Sequence, residues 1–194
     1  LVSDHRERFT AVTRKVSPGG LGLPPTQLLS NGRYSVSLRA NGSGWSRFKG
    51  LDISRWRDDV LRDNYGSYFY VRRQPQQAVA SLTQHPAPDE GATYTATFHS
   101  DRVHFDAVWP DLRTRCTVWV SPEDDIELRQ VELWNLTDQA ISLELMSAFE
   151  VCLTEARADE THPAFSNLFV QGHWDDEDHA LYLQRQARLS TEDG

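Results

Sequence analysis

The sequence predicts an all-β protein built as a large antiparallel β-sandwich. Apolar and polar residues alternate with a period of two along most of the chain, and no window sustains a helical stripe of about ten residues. Two pairs, Asn31-Gly32 and Asn41-Gly42, have the composition of tight hairpin connections. The longest predicted strands reach about ten residues or more, and such strands need two stacked layers to cover their apolar sides.

The strand between the two Asn-Gly pairs is the clearest element. Residues 33–40 alternate between larger apolar residues and serine or arginine, which is the pattern of a half-buried antiparallel strand. The turn signal at each end fixes its register. Its apolar side is formed by Tyr34, Val36, Leu38 and Ala40.

The other strands follow at short, turn-rich intervals. Ser100-Asp101 predicts a hairpin between two of them, and residues 136–139 predict a second hairpin. Residues 1–26, rich in Pro and Gly near their end, are predicted to be an arm or linker, and residues 27–194 the sandwich domain. The acidic segment 154–163 is predicted to be an irregular loop. The remaining predicted strands are 51–56, 66–73, 77–82, 92–99, 102–109, 112–120, 125–135, 140–153, 166–170 and 179–185.

Composition limits the classes of partner and compartment. With 28 acidic and 20 basic side chains the net charge is −8, which disfavours nucleic acid and other polyphosphates. The sequence contains no apolar run long enough for a membrane span or a signal peptide. It begins at Leu1 and its one methionine is Met146, so we expect a piece of a longer protein. Cys116 and Cys152 lie in predicted strands, which predicts buried free thiols and is consistent with a reducing compartment.

One run of the chain combines aromatic rings with planar hydrogen-bonding groups. Flat aromatic faces beside guanidinium and amide groups suit sugar rings, although the same aromatics could fill the core of a sandwich. The aromatic residues are Trp45, Phe48, Trp56, Tyr65, Tyr68 and Tyr70, and the polar ones are Arg47, Arg55 and Asn64.

Two sets of acidic residues are candidates for a catalytic or a metal site. Asp58, Asp59 and Asp63 could act as acid and base across a glycosidic bond, but their arginine neighbours favour a solvated ion-pair network. The segment 173–179 contains histidines and carboxylates, yet its spacing matches no zinc template and it lacks the glycine of a calcium loop. We therefore expect a solvated turn there, with no metal ion and no cofactor.

Several ordered motifs together resemble one family. They resemble the N-terminal β-sandwich domain of the cellobiose and chitobiose phosphorylases (glycoside hydrolase family 94, formerly glycosyltransferase family 36). The similarity is greatest to the repeats of cyclic β-1,2-glucan synthases of the NdvB type, and it covers roughly residues 27–185. The motifs lie at residues 29–34, 42–47, 54–59, 63–70, 120–127 and 162–170.

This resemblance implies a galactose-mutarotase-like supersandwich that precedes a separate catalytic (α/α)6 barrel. In that family the barrel supplies the acid and the phosphate pocket for phosphorolysis of a β-glucosidic linkage, so this chain alone is expected to be inactive. Family sandwiches continue beyond the point that matches Arg185, which implies a sandwich truncated at its C-terminal end. An open sheet edge of that kind favours a homodimer. The NdvB type also implies an inner-membrane synthase with this domain on the cytoplasmic side.

We therefore expect an accessory domain that supports the barrel and lines its sugar cleft, with a β-glucan or oligosaccharide as ligand. A self-sufficient carbohydrate-binding module is a second hypothesis. A sugar epimerase is a third, and it would need a carboxylate base near one of His99, His104 or His162. The residues predicted to face the sugar are Arg47, Trp56, Asp58, Asp63, Tyr68, His162 and Phe165.

Overall fold

The computed structural model describes residues 13–19, 22–59, 62–74 and 78–186. Strands dominate these residues, and two short helices, α1 (Ala156–Thr161) and α2 (Pro163–Asn167), lie between the last strands. Among the residues described, neither helix has the length or apolar character needed to cross a membrane. The strands are β1 (Arg14–Val16), β2 (Thr26–Ser30), β3 (Tyr34–Arg39), β4 (Gly44–Phe48), β5 (Leu51–Ser54), β6 (Ser67–Arg73), β7 (Val79–Ser81), β8 (Thr93–Phe98), β9 (Arg102–Val108), β10 (Leu112–Val120), β11 (Glu127–Asn135), β12 (Leu143–Phe149), β13 (Val151–Glu155), β14 (Val170–Asp175) and β15 (Ala180–Arg185).

The strands form two facing layers and a terminal hairpin. Sheet A has the order β1-β8-β9-β10-β11 and makes one layer. Sheet B, with the order β13-β5-β4-β3-β2, and sheet C, with the order β12-β6-β7, together make the other. The last two strands, β14 and β15, pair only with each other among the described residues. The predicted all-β antiparallel sandwich is therefore confirmed.

Two apolar clusters fill the space between the layers. In the first, Val36 of sheet B packs in a group with Phe105 and Val118 of sheet A. In the second, Val71 of sheet C packs in a group with Leu112 of sheet A. Each fully buried side chain of this size stabilises the fold by about 1.5–3 kcal/mol relative to exposure. Sheet A is thus the common wall of both halves of the core.

The predicted connections at the Asn-Gly pairs are confirmed. The first joins β2 to β3 and the second joins β3 to β4, and β3 alternates between buried and half-buried side chains as expected. Gly32 has φ +92° and Gly42 has φ +97°. The side-chain oxygen of Asn31 accepts hydrogen bonds from the backbone N–H groups of Arg33 (3.0 Å) and Tyr34 (2.8 Å). Each turn therefore uses the left-handed conformation at its glycine.

The two predicted hairpins differ in outcome, and one predicted strand is divided between two sheets. The hairpin at Ser100-Asp101 is confirmed as β8–β9. The hairpin predicted at residues 136–139 is wrong, because β11 pairs with β10 in sheet A whereas β12 pairs with β6 in sheet C. The predicted strand 140–153 is interrupted at Glu150, where the chain passes from sheet C into sheet B as β13. Alternation alone cannot distinguish a hairpin from an arch that joins two layers.

Some elements were mistaken or missed. The predicted strand 166–170 is wrong, since α2 and the turn after it occupy residues 166–169. Proline suits the first position of a helix because its missing N–H needs no partner there. Strands β1, β2, β4 and β14 and both helices were not predicted. The strand β1 lies inside the segment expected to be an arm. Residues 1–12 and 20–21 of that arm, and the start of the predicted strand 77–82, lie outside the described residues.

Both cysteines are buried and free, as predicted. Burial raises the pKa of each thiol, Cys116 and Cys152, to about 11. Neither thiol is therefore ionised near neutral pH, and both act as small apolar groups in the core.

Replacing Gly42 tests the close approach of the second Asn-Gly turn to the loop after β7. A Cβ at this position would lie 2.4 Å from the Cβ of Thr83, whereas a Cβ at Gly32 would meet nothing within 4 Å. Because both glycines have positive φ, Gly32→Ala should cost about 1 kcal/mol for conformation alone. Gly42→Ala should cost a further 1–3 kcal/mol, roughly, from overpacking. Urea unfolding of both variants measures this difference, and equal costs would contradict the contact.

Candidate functional site

The run of aromatic, arginine and aspartate residues lies in the connection from β5 of sheet B to β6 of sheet C. Its backbone is held at two points. The N–H of Gly44 donates to the carbonyl of Tyr65 (2.9 Å), and the N–H of Arg55 donates to the carbonyl of Glu150 (2.8 Å). The described parts of this connection, residues 55–59 and 62–66, are therefore fixed against the sandwich.

Asp63 is a buried carboxylate with three side-chain donors. Its Oδ1 accepts from Arg39 Nη1 (2.6 Å) and Ser43 Oγ (2.8 Å), and its Oδ2 accepts from Asn41 Nδ2 (2.5 Å). The residue is 5% exposed and has φ +43°, a conformation that aspartate tolerates better than most residues. A carboxylate removed from water needs such partners, so Asp63 anchors this connection.

Arg39 joins Asp63 to a surface group that we call the Trp56 platform, made of Arg39, Trp56 and Asp58. The guanidinium of Arg39 lies 4.8 Å from the centre of the Trp56 ring and donates from Nη2 to Asp58 (2.9 Å). The side chain of Asp58 is 71% exposed, whereas that of Arg39 is 15% exposed. The platform therefore presents an aromatic ring beside an accessible carboxylate.

A shallow groove opens next to this connection, and we call it the tyrosine groove. Its volume is about 190 Å³. Tyr68 is buried in it and forms an edge-to-face pair with Tyr70, with ring centroids 6.4 Å apart. Burial, and then the field of Asp63, raise the pKa of the Tyr68 phenol far above its ordinary value. The groove is lined by Asn64, Tyr65, Gly66, Tyr68, Tyr70, Ala148, Phe149 and Glu150.

The other predicted sugar-facing residues lie in separate places. Arg47, on β4, donates to the buried carboxylate of Asp52 (2.5 Å) and stacks on Trp45, 4.3 Å from its ring centre. His162 and Phe165, at the junction of α1 and α2, line a cavity of about 390 Å³. Hence the structure brings together Trp56, Asp58 and Asp63 through shared contacts, places Tyr68 in the neighbouring groove, and leaves the other three outside this group. Their contact with sugar stays a prediction.

Sequence reasoning missed Asp159, which secures the start of the same connection. This residue of α1 is fully buried and accepts two hydrogen bonds from Arg55, at 2.8 and 2.9 Å, and one from Arg57 at 2.6 Å. Arg55 also donates to Glu150 (2.7 Å) and to the side-chain oxygen of Asn167. The partners are about a hundred residues apart in the chain, and the acidic segment 154–163 carried no sign of burial.

Hydrogen bonds to the two arginines outweigh the effect of burial and lower the pKa of the Asp159 carboxyl to about 2. The carboxylate is therefore ionised at all ordinary pH values. Its charge holds α1 against the residues that follow β5.

The described side chains do not form the acid–base pairs that the sequence suggested for catalysis. Asp63 is bound by Arg39 and two other donors, as described above. His99 and His104 lie together on sheet A, with ring centroids 4.8 Å apart, and the nearby carboxylate of Asp106 is bound by Arg113 and Arg115. A carboxylate whose oxygens are already bound by two guanidinium groups is poorly placed to accept a proton from a substrate.

The turn predicted in the acidic segment 173–179 is formed by residues 176–179, whereas residues 173–175 end β14. β14 and β15 flank it, and the side-chain oxygen Oδ1 of Asp175 accepts the backbone N–H groups of Glu177 (2.8 Å) and Asp178 (3.0 Å). No cluster of potential metal ligands was found in the described part of the chain.

Comparisons with known proteins place these features in a family. The profile of the family described as "Glycosyl hydrolase 94, supersandwich domain" matches residues 11–194. The chain is similar to the cyclic beta-(1,2)-glucan synthase NdvB of Rhizobium meliloti, with 31% identity over 163 residues. This match covers 84% of the chain and 6% of the synthase, so the chain spans a small part of that relative.

Replacing Asp159 tests its role in holding α1. Asp159→Asn removes the buried anion that binds both Arg55 and Arg57 and leaves Arg55 with only the more exposed Glu150, so we expect a loss of about 3–5 kcal/mol in the free energy of unfolding at pH 7. Asp58→Asn is the matched control, because its ion pair is mostly exposed and should cost below about 1 kcal/mol. Urea unfolding measures both values, and similar small losses would contradict the role assigned to Asp159.

The contribution of Asp159 to the free energy of unfolding should depend on pH. The pKa of Asp159 is about 2 in the folded state, below its value of about 4 in an unfolded chain. The stabilisation is therefore complete above about pH 4 and is lost as the pH falls towards 2. The difference in unfolding free energy between wild type and Asp159→Asn should narrow by about 2 kcal/mol over this range. A difference that stays constant would mean that the carboxylate has an ordinary pKa.

Proposed function

The chain belongs to the glycosyl hydrolase 94 supersandwich family, and on this premise we propose that it is an accessory domain of a carbohydrate-active enzyme. The enzyme would be a β-glucan phosphorylase or a cyclic β-1,2-glucan synthase. The domain would support a separate catalytic (α/α)6 barrel of the parent protein and line its sugar cleft. Similarity to a cyclic glucan synthase over 84% of the chain supports this assignment.

The observation that carries the sugar-facing role is the pairing of the Trp56 platform with the tyrosine groove. Aromatic rings pack against the C–H faces of a sugar, while charged and amide groups at their edges bind its hydroxyls. Asp58 and Asn64 supply such groups beside Trp56 and Tyr70. Because Asp63 and Asp159 hold the connection at both ends, the two surfaces keep a fixed geometry without a ligand.

A self-sufficient carbohydrate-binding module is the second candidate function. It is favoured by the anchoring of Asp63, next to the tyrosine groove, through hydrogen bonds from Arg39, Asn41 and Ser43, which fix this surface without another domain. The two proposals differ in what the isolated chain does: a module binds an oligosaccharide tightly by itself, whereas a wall of a larger cleft binds it weakly.

We further propose that the domain works in the cytoplasm, as part of an inner-membrane synthase. The two buried free thiols support a reducing compartment, in which such cysteines persist without pairing. Residues 1–26 as an arm and 27–194 as the sandwich domain remain the proposed division of the chain.

A homodimer through the strands at one edge of the sandwich is also proposed. Among the described residues, β11 ends sheet A and β12 ends sheet C. Both carry exposed apolar side chains, and unpaired edges tend to recruit another strand. Gel filtration at high protein concentration should give a dimer, and a clean monomer would contradict the proposal. The exposed residues are Leu133, Trp134, Leu145, Met146 and Phe149.

Titration calorimetry with linear β-1,2-gluco-oligosaccharides, and with cello-oligosaccharides for comparison, tests the sugar-facing role. For a cleft wall we expect weak, saturable binding with a dissociation constant of about 1 mM. Trp56→Ala should weaken it by roughly tenfold or more, since an aromatic contact is worth on the order of 1 kcal/mol or more.

Trp134→Ala is the matched control, because Trp134 also stacks with an arginine, Arg113, but on sheet A. It should bind like the wild type. Equal affinity of the wild type and Trp56→Ala, or no binding by the folded chain, would contradict the sugar-facing role. Tight binding would favour the module.

A further inference from the structure

A second groove, distinct from the tyrosine groove, lies where sheets B and C meet the end of sheet A that carries β11. Its volume is about 460 Å³, which is in the range of small-molecule sites. Residues from β3, β4, β5, β6, β11 and β12 line it, and we call it the inter-sheet groove. Its walls include Tyr34, Phe149 and Ile126, together with Ser147.

A buried ion pair lies at the side of this groove. Glu127 accepts hydrogen bonds from Arg129 Nε (2.6 Å), Ser46 Oγ (2.5 Å) and Tyr34 Oη (3.3 Å), so its carboxylate is well satisfied. The side chains of Glu127 and Arg129 are 11% and 14% exposed. Such a pair is costly to bury unless its geometry is good, and here both partners are held in place.

The guanidinium of Arg129 retains a free donor. Its Nε donates to Glu127 and its Nη1 donates to the carbonyl of Ser67 (2.7 Å). Its Nη2 has no hydrogen-bond partner among the described residues. The buried side-chain atoms that lack a partner there do not include this Nη2, so it is accessible. A fixed planar guanidinium with one open nitrogen is a pre-organised donor for an oxygen atom of a ligand.

The charges around the groove disfavour an anion. Glu127 already balances Arg129, and Asp125, which also lines the groove, is paired with Arg33 (2.8 Å). No uncompensated positive charge is therefore present among the lining residues to attract phosphate or a carboxylate. A neutral ligand that offers hydroxyl oxygens fits this donor better.

The walls favour a ring with apolar faces. Ile126 is 50% exposed and Phe149 is 44% exposed, so each offers accessible apolar surface. Tyr34, Tyr68 and Phe69 complete the aromatic lining. A sugar ring combines apolar C–H faces with hydroxyl groups at its rim, which matches apolar walls around a single fixed donor.

We propose that the inter-sheet groove is a second saccharide-binding site, which takes one or two units of a neutral sugar chain and binds a hydroxyl through Arg129. The site does not depend on the Trp56 platform. Tyr68, Ala148 and Phe149 line both this groove and the tyrosine groove, so the two sites share a wall formed by β6 and β12.

Amide-resolved NMR titration of the chain with a β-1,2-linked glucose disaccharide tests this site. The amide signals of Ile126 and Ser147 should shift saturably, and they should do so equally in Trp56→Ala. Ser147→Trp, on the edge strand β12, should fill the groove and weaken this binding by tenfold or more. Leu145→Trp, two residues away on the same face of β12 but outside the groove, should leave it unchanged.

Arg129→Lys keeps the charge but not the planar fork, and it should also weaken binding by about tenfold. The amide spectrum shows whether each variant is folded. Saturable shifts that persist in Ser147→Trp, or no shifts at Ile126 and Ser147 in the wild type, would overturn the proposal. Loss of the groove shifts in Ser147→Trp, with no effect of Trp56→Ala on any sugar binding, would support this site while rejecting the Trp56 platform.

Discussion

A carboxylate removed from water must be bound by cations and donors, and this constraint fixes the connection that carries the Trp56 platform. Asp159 and Asp63 meet it at the two ends of the connection between β5 and β6. Asp159 binds the arginines that follow β5, and Asp63 binds Arg39 and the second Asn-Gly turn. Without these partners each charge would be strongly destabilising, so the connection has little freedom to move.

This rigidity explains how a connection rich in charge and aromatic rings can form a surface of defined shape. Arg39 is bound by Asp63 on one side and lies against the Trp56 ring, so the buried Asp63 fixes the position of the platform. The tyrosine groove follows directly, because its first lining residue, Asn64, is the neighbour of Asp63. The fixed geometry of this surface comes from the chain's own electrostatics.

Local patterns predicted the strands well and long-range pairing poorly. The alternation of β3 and the turns at Gly32 and Gly42 follow from side-chain period and backbone freedom, which the sequence displays directly. The arch from β11 to β12 does not follow from the local pattern, since alternating residues are compatible with two strands in one sheet or in two facing sheets. A strand as short as β1 carries too few residues for a period to be recognised.

The candidate site shows the same difference between local and long-range features. Trp56, Asp58 and Asp63 are close in the sequence and meet in space because one connection carries them. Arg47 is equally close in sequence, but it lies on β4 and pairs with Asp52 of the adjacent strand. Asp159, Phe149 and Glu150 reach the region from distant elements, and their contribution depends on the sheet order, which no local motif encodes.

Hydrogen exchange of the chain with and without a linear β-1,2-gluco-oligosaccharide tests the central claim most directly. The account predicts added protection in residues 55–59, 62–70 and 148–150, which form the platform and the tyrosine groove, together with the region of the inter-sheet groove. Protection confined to the outer face of sheet A or to the β14–β15 hairpin would contradict it, as would a saturating ligand that protects none of these segments.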